Sequence, residues 1–174
     1  MFRRLVLPCV LLVAALPTEA LGMDPAFIHE VASLHERSLD LVFVDVEGTV
    51  PSAFPRMARE ASAVLERLGV RTRWRRGGHG IVASQHEITV VLMNSTAANA
   101  GVAPHVLGAT LVGERTSRTV WIYLPHVAAA LGLGARLPPD DKGDEVALLG
   151  TALGRVAAHE IIHALVPKLP HSRR

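Results

Sequence analysis

The chain has 174 residues, with 18 Lys and Arg against 16 Asp and Glu for a formal net charge of +2; this is the length of one ordinary domain and enough to bury a single core. So nearly balanced a charge gives no reason to expect nucleic acid as a partner. The only cysteine, Cys9, lies in the first apolar run, so the rest of the chain has no disulfide or cysteine-ligated metal site, and any metal must be held by His, Asp or Glu.

Met1-Phe2-Arg3-Arg4 is a basic start, residues 5–17 are an apolar run, and Thr18-Glu19-Ala20 ends in a small residue. This is the layout of a secretory signal peptide. A helix spanning a bilayer needs about 20 apolar residues, and this run meets Pro17 and Glu19 first. The expectation is a signal peptide over 1–20, cleavage near Ala20, a secreted or periplasmic protein with no stable membrane span, and one domain over 21–174. Loss of Arg3, Arg4 and Glu19 lowers the formal charge from +2 to +1.

Residues 24–39 read as a short amphipathic helix, with Phe27, Val31 and Leu34 at helical spacing and Pro25 in the first turn. His29 and His35 are six apart and share no face as an i, i+4 pair would, so they read as surface residues. Leu41-Val42-Phe43-Val44-Asp45-Val46 is an apolar, β-branched strand ending at Glu47-Gly48. Asp45 and Glu47, at its end, could hold a cation or solvate a turn, and the turn is preferred. A helix opens at Ser52-Ala53-Phe54-Pro55 and runs to about Leu68 on the stripe Ala61, Val64, Leu65 and Leu68, closed by Gly69.

Over 70–75 Val70, Thr72 and Trp74 alternate with Arg71, Arg73 and Arg75, giving a half-buried strand with one wet face. Together with Arg76 these arginines mark a solvated face in preference to an anion site. The glycine-rich loop that follows carries His79. Further strands are expected over 88–93, 110–112 and 118–124, the last two joined by a polar turn. A short helix over 126–131 begins at His126, which, like His79, has no evident partner. Asp140, Asp141 and Asp144 lack the alternation of a calcium loop, and no calcium is expected. Asp144 and Glu145 instead place negative charge at the start of the last helix, which reaches about Val166. This order fits an α+β fold, a twisted mixed sheet with helices packed on one side and a long C-terminal helix.

That last helix carries His159-Glu160-Ile161-Ile162-His163. Histidines four apart lie on one helix face, about one turn from each other, where both imidazoles can reach the same ion. Glu160 is then beside the ion without being a ligand, able to take a proton from water. The competing expectation is an amphipathic helix whose histidines face solvent or make local hydrogen bonds. A catalytic zinc ordinarily has three protein ligands and an open fourth position. Pro167 must end the helix and Pro170 prevents its resumption. His171 is the only His, Asp or Glu downstream, and it is assigned as third ligand in preference to a mobile tail histidine or an upstream ligand.

His159-Glu160-Ile161-Ile162-His163 resembles the zincin motif, and the downstream His171 makes the chain similar to the metzincin branch of zinc peptidases. The resemblance implies a strand-rich upper half, a long active-site helix, Zn2+ held by His159, His163 and His171, and Glu160 as catalytic general base. It covers the last twenty residues most closely. The chain departs from the metzincin pattern in that His171 follows His163 at an interval of eight with no glycine between them, and in ending before a methionine-containing turn. The expectation is therefore either a domain cut short at its C-terminus or a minimal relative. The expected activity is hydrolysis of a peptide or protein substrate outside the cytoplasm. An exported, noncatalytic zinc-binding or interaction module derived from a peptidase is the alternative. Strand 118–124, if at the sheet edge above the site, would hold an extended peptide, with Trp121 and Tyr123 on one face.

Overall fold

The computed structural model describes residues 38–78, 87–94, 101–112, 118–133 and 143–166. Outside them lie the leader expected over 1–20, nearly all of the helix expected over 24–39 with His29 and His35, as well as His79, the turn expected over 113–117, the loop expected over 137–142 and His171. The elements are β1 (Leu39–Asp45), α1 (Phe54–Glu66), β2 (Thr72–Arg76), β3 (Glu87–Met93), β4 (Gly108–Val112), β5 (Arg118–Tyr123), α2 (Leu124–Ala130) and α3 (Gly143–Leu165). The fold is α+β, with a mixed five-stranded sheet in the order β2-β1-β3-β5-β4. Strands β2, β1, β3 and β5 run parallel to their neighbours, and β4 returns antiparallel along β5.

Both long helices pack on one face of this sheet. Leu41 and Phe43 of β1, Ile88, Val90 and Leu92 of β3, and Val120 and Ile122 of β5 form a single buried cluster with Met57, Ala61 and Leu65 of α1 and Leu149, Leu153, Ala157 and Ile161 of α3. Alternation along each strand selects these residues, because successive side chains point to opposite faces. The apolar run of β3 therefore does not mean equal burial on both sides: its residues alternate between intermediate and buried throughout. On the opposite face, Arg73 grips Asp40 through two hydrogen bonds of 2.8 and 2.9 Å, and Arg75 reaches across β1 to Glu87 at 2.8 Å. The bonds to Asp40, with its negative charge, raise the already high Arg73 pKa. Arg76 lies 4.8 Å over the Phe54 ring and donates to the Pro51 carbonyl. Three of the four clustered arginines are thus bound to the protein itself.

Local chemistry closes the elements. Asp45 accepts a hydrogen bond from the Val50 amide at 3.1 Å and one from the Thr49 hydroxyl at 3.4 Å, so it serves the turn after β1. Helix α1 has Ala53, not Ser52, as its N-cap, with Pro55 in the first turn, where a missing N–H costs nothing. At its other end Gly69 takes φ +79°, the Val70 amide donates to Leu65 O and the Gly69 amide to Glu66 O. That double closure, with Val70 and Leu65 buried together, is the Schellman arrangement. Trp74 donates to Ser62 at 3.0 Å, and Ser62 pairs with Thr72 at 2.7 Å, fastening β2 to α1.

The crossing of α1 and α3 depends on Gly150 and Gly154. A Cβ on Gly154 would stand 2.6 Å from Met57 O and 2.7 Å from Glu60 Cβ, and one on Gly150 would stand 2.8 Å from Arg56 Cβ. Polar links flank this contact: Arg155 to Glu60 at 3.0 Å and Arg56 to Thr151 at 3.0 Å. Gly154→Ala is expected to lower stability by about 1–3 kcal/mol through overpacking against backbone. Gly143→Ala, at the open start of α3, should stay within about 0.5 kcal/mol of the parent. Urea unfolding of the two variants side by side checks this.

Candidate metal centre

Helix α3 is 23 residues long, about 35 Å at 1.5 Å per residue. Its acidic first turn, Asp144 and Glu145, complements the helix dipole, and His163 lies in the last turn, where a cationic side chain is favoured. The buried positions Leu149, Leu153, Ala157, Ile161 and Ala164 keep the 3.6-residue period and press the helix against the sheet. This fixes the orientation of the three motif residues: His159 is exposed, whereas Glu160 and His163 are each only 8% exposed.

The two imidazoles meet. His159 Nε2 and His163 Nε2 are 3.2 Å apart, with ring centroids at 4.7 Å and planes inclined by 75°. With Zn–N bonds of about 2.0–2.1 Å, two nitrogens bound to one tetrahedral zinc are about 3.3 Å apart. The separation in this protein therefore fits a shared ion held through both Nε2 atoms. An N–H···N bond between the rings also fits it when one of them carries its proton on Nε2. Among the described residues no group of three or more His, Cys, Asp or Glu side chains converges on one point. The expected third ligand, His171, lies outside those residues.

Glu160 is held from the sheet. The Thr110 hydroxyl is 2.8 Å from Glu160 Oε2 and 2.8 Å from the main-chain oxygen of the same residue. Gly108 makes this approach possible, since a Cβ there would fall 2.8 Å from Glu160 Cγ, 2.9 Å from Trp121 O and 3.0 Å from Val156 Cγ1. Neither Thr110 nor Gly108 was foreseen as part of the site. The contact joins positions 50 apart in sequence, and the only local sign is a run of small residues, Gly108-Ala109-Thr110.

The strand beside the site differs from the one expected. Strand β5, read as a potential edge, is interior between β3 and β4, because it adds parallel to β3 and folds β4 outward through a hairpin. Trp121 alternates with the buried Val120 and Ile122 and so lies on the face turned away from α3. Strand β4 is the margin, and it contacts α3. In its register Leu107 O accepts from the Tyr123 amide, and Ala109 and Leu111 stand opposite Trp121 and Thr119. Antiparallel alternation then turns the main-chain N–H and C=O of Gly108, Thr110 and Val112 away from β5, to the outer side. His126, another histidine considered, has Nδ1 2.7 Å from Val106 O and pins the approach to β4.

No family model, curated protein or solved structure matches this chain. No helix among the described residues is long and apolar enough to cross a membrane.

The unequal burial of the two histidines has a measurable consequence in metal-free protein. His163→Ala opens space in the packed end of α3 and should cost about 1–3 kcal/mol. His159→Ala, at an exposed position, leaves no cavity but removes its contact with His163, and should cost about 1 kcal/mol or less. Thermal unfolding after exhaustive chelation measures both.

Proposed function

We propose that this chain is an exported zinc-dependent peptidase of zincin type, related most nearly to the metzincin branch. The observation that carries this reading is the 3.2 Å approach of His159 Nε2 to His163 Nε2, with Glu160 between them in sequence on the same helix. The mixed sheet followed by one long helix ending in this motif agrees with the arrangement that the zincin resemblance implies.

His159 and His163 would hold zinc through Nε2, and His171 is proposed as the third ligand. Zinc bound there would supply Lewis acidity, making a water more acidic and polarising a peptide carbonyl. Glu160 acts as general base: its carboxylate accepts a proton from the attacking water and passes it to the departing amine. Strand β4 aligns the substrate, its outward N–H and C=O groups at Gly108, Thr110 and Val112 pairing with an extended peptide main chain. The burial of Glu160 beneath β4 keeps bulk water from its stem.

The bond from Thr110 to Glu160 also suits a second reading, a noncatalytic zinc-binding module in which this carboxylate is structural. Glu160→Gln separates the two. In the zinc-loaded protein it should reduce hydrolysis of a labelled unfolded protein by at least about a hundredfold while zinc content stays at the parent level. Undiminished hydrolysis would remove Glu160 from the chemistry. A zinc-loaded parent that cleaves no substrate would favour the binding module.

A further inference from the structure

We infer that Thr110 is a positioning residue for the general base, one that ties the Glu160 carboxylate to the strand on which substrate docks. The inference rests on the peptidase reading for its kinetic consequence, but its geometric content stands on this chain alone.

The Thr110 hydroxyl lies 2.8 Å from both the carboxylate and the main-chain oxygen of Glu160. It carries one proton, and the charged oxygen is the stronger acceptor. The main-chain oxygen can take only a share of that one proton, so the two contacts are alternatives or a single bifurcated bond, with the carboxylate the favoured acceptor. Threonine is stiff at χ1, and its strand is closed against the Glu160 stem by the absence of a side chain at Gly108, where even a Cβ would come within 2.8 Å of Glu160 Cγ. Glu160 is therefore confined both along its stem and at its carboxylate, at a site only 8% exposed.

The same residue faces two ways. Its side chain points to α3, while the ladder register turns its main-chain N–H and C=O to the outer margin of the sheet. A peptide pairing with β4 at Thr110 is thus in register with the residue that fixes the base. Shape alone would not give this link, since valine fills the same volume without a hydroxyl, whereas serine retains the donor.

Thr110→Val and Thr110→Ser test the assignment, by crystal structures of the metal-free proteins and by kinetics of the zinc-loaded ones. In Thr110→Val the Glu160 carboxylate should leave its place beside β4 and kcat should fall about a hundredfold, with KM changed by less than about twofold and zinc content unchanged. Thr110→Ser should keep the carboxylate in place and recover most of kcat. An undiminished kcat in Thr110→Val, or a serine variant as impaired as the valine one, would overturn the assignment. If the parent hydrolyses nothing, the peptidase reading fails by itself, and the crystal structures decide the positioning: a carboxylate unmoved in Thr110→Val refutes it.

Discussion

The close seating of α3 is the constraint on which the rest of the structure depends. The helix approaches α1 through Gly150 and Gly154 and the sheet margin through Gly108, and at each of these glycines a single added carbon would come within 3 Å of a neighbouring atom. Glycine weakens a helix interior by about 1 kcal/mol relative to alanine, so its use at Gly150 and Gly154 is a local loss offset by packing. The result is a helix held on two sides, with Leu149, Leu153, Ala157 and Ile161 sealed into the core and His159, near its end, exposed.

That seating determines the chemistry available at the last turns. While Ile161 and Ala164 face the core, His159 and His163, four apart, share another face of the helix and their Nε2 atoms meet at 3.2 Å. Glu160, one position after His159, is carried round the helix toward β4, where its side-chain donor among the described residues is Thr110. A buried polar group left unpaired costs about 1–3 kcal/mol, so the Thr110 hydroxyl serves folding as well as orientation. The sheet contributes to the site through its margin: β4 is antiparallel, short and outermost among the described strands, with a side-chain donor toward α3 and, by its register, main-chain groups turned away from β5.

Much of the fold was legible in the sequence because its signals are local. The apolar run of β1, the alternation of β2, the stripe of α1 with Gly69 behind it, and the acidic start of α3 each follow from period or capping chemistry. Asp45 was read as a turn residue, and its bonds to Val50 and Thr49 agree. Strand order was not legible, since nothing in residues 118–124 distinguishes an interior parallel strand from an edge. Nor was the start of β4, because Gly108 and Ala109 are poor strand formers, and Gly108 answers to the close approach of α3. The histidine pair could be found by spacing alone, i to i+4 on one helix. The Thr110 contact could not, being a meeting of strand and helix across 50 positions.

The central claim is that His159 and His163 share one zinc ion, and elemental analysis of the purified protein, dialysed after zinc loading, tests it most directly when run beside His163→Ala. About one zinc per chain in the parent, lost or strongly reduced in the variant, is the result the account predicts. A parent that retains no zinc, or a variant that retains as much as the parent, would contradict it and leave the 3.2 Å approach of the two rings as a hydrogen bond between imidazoles.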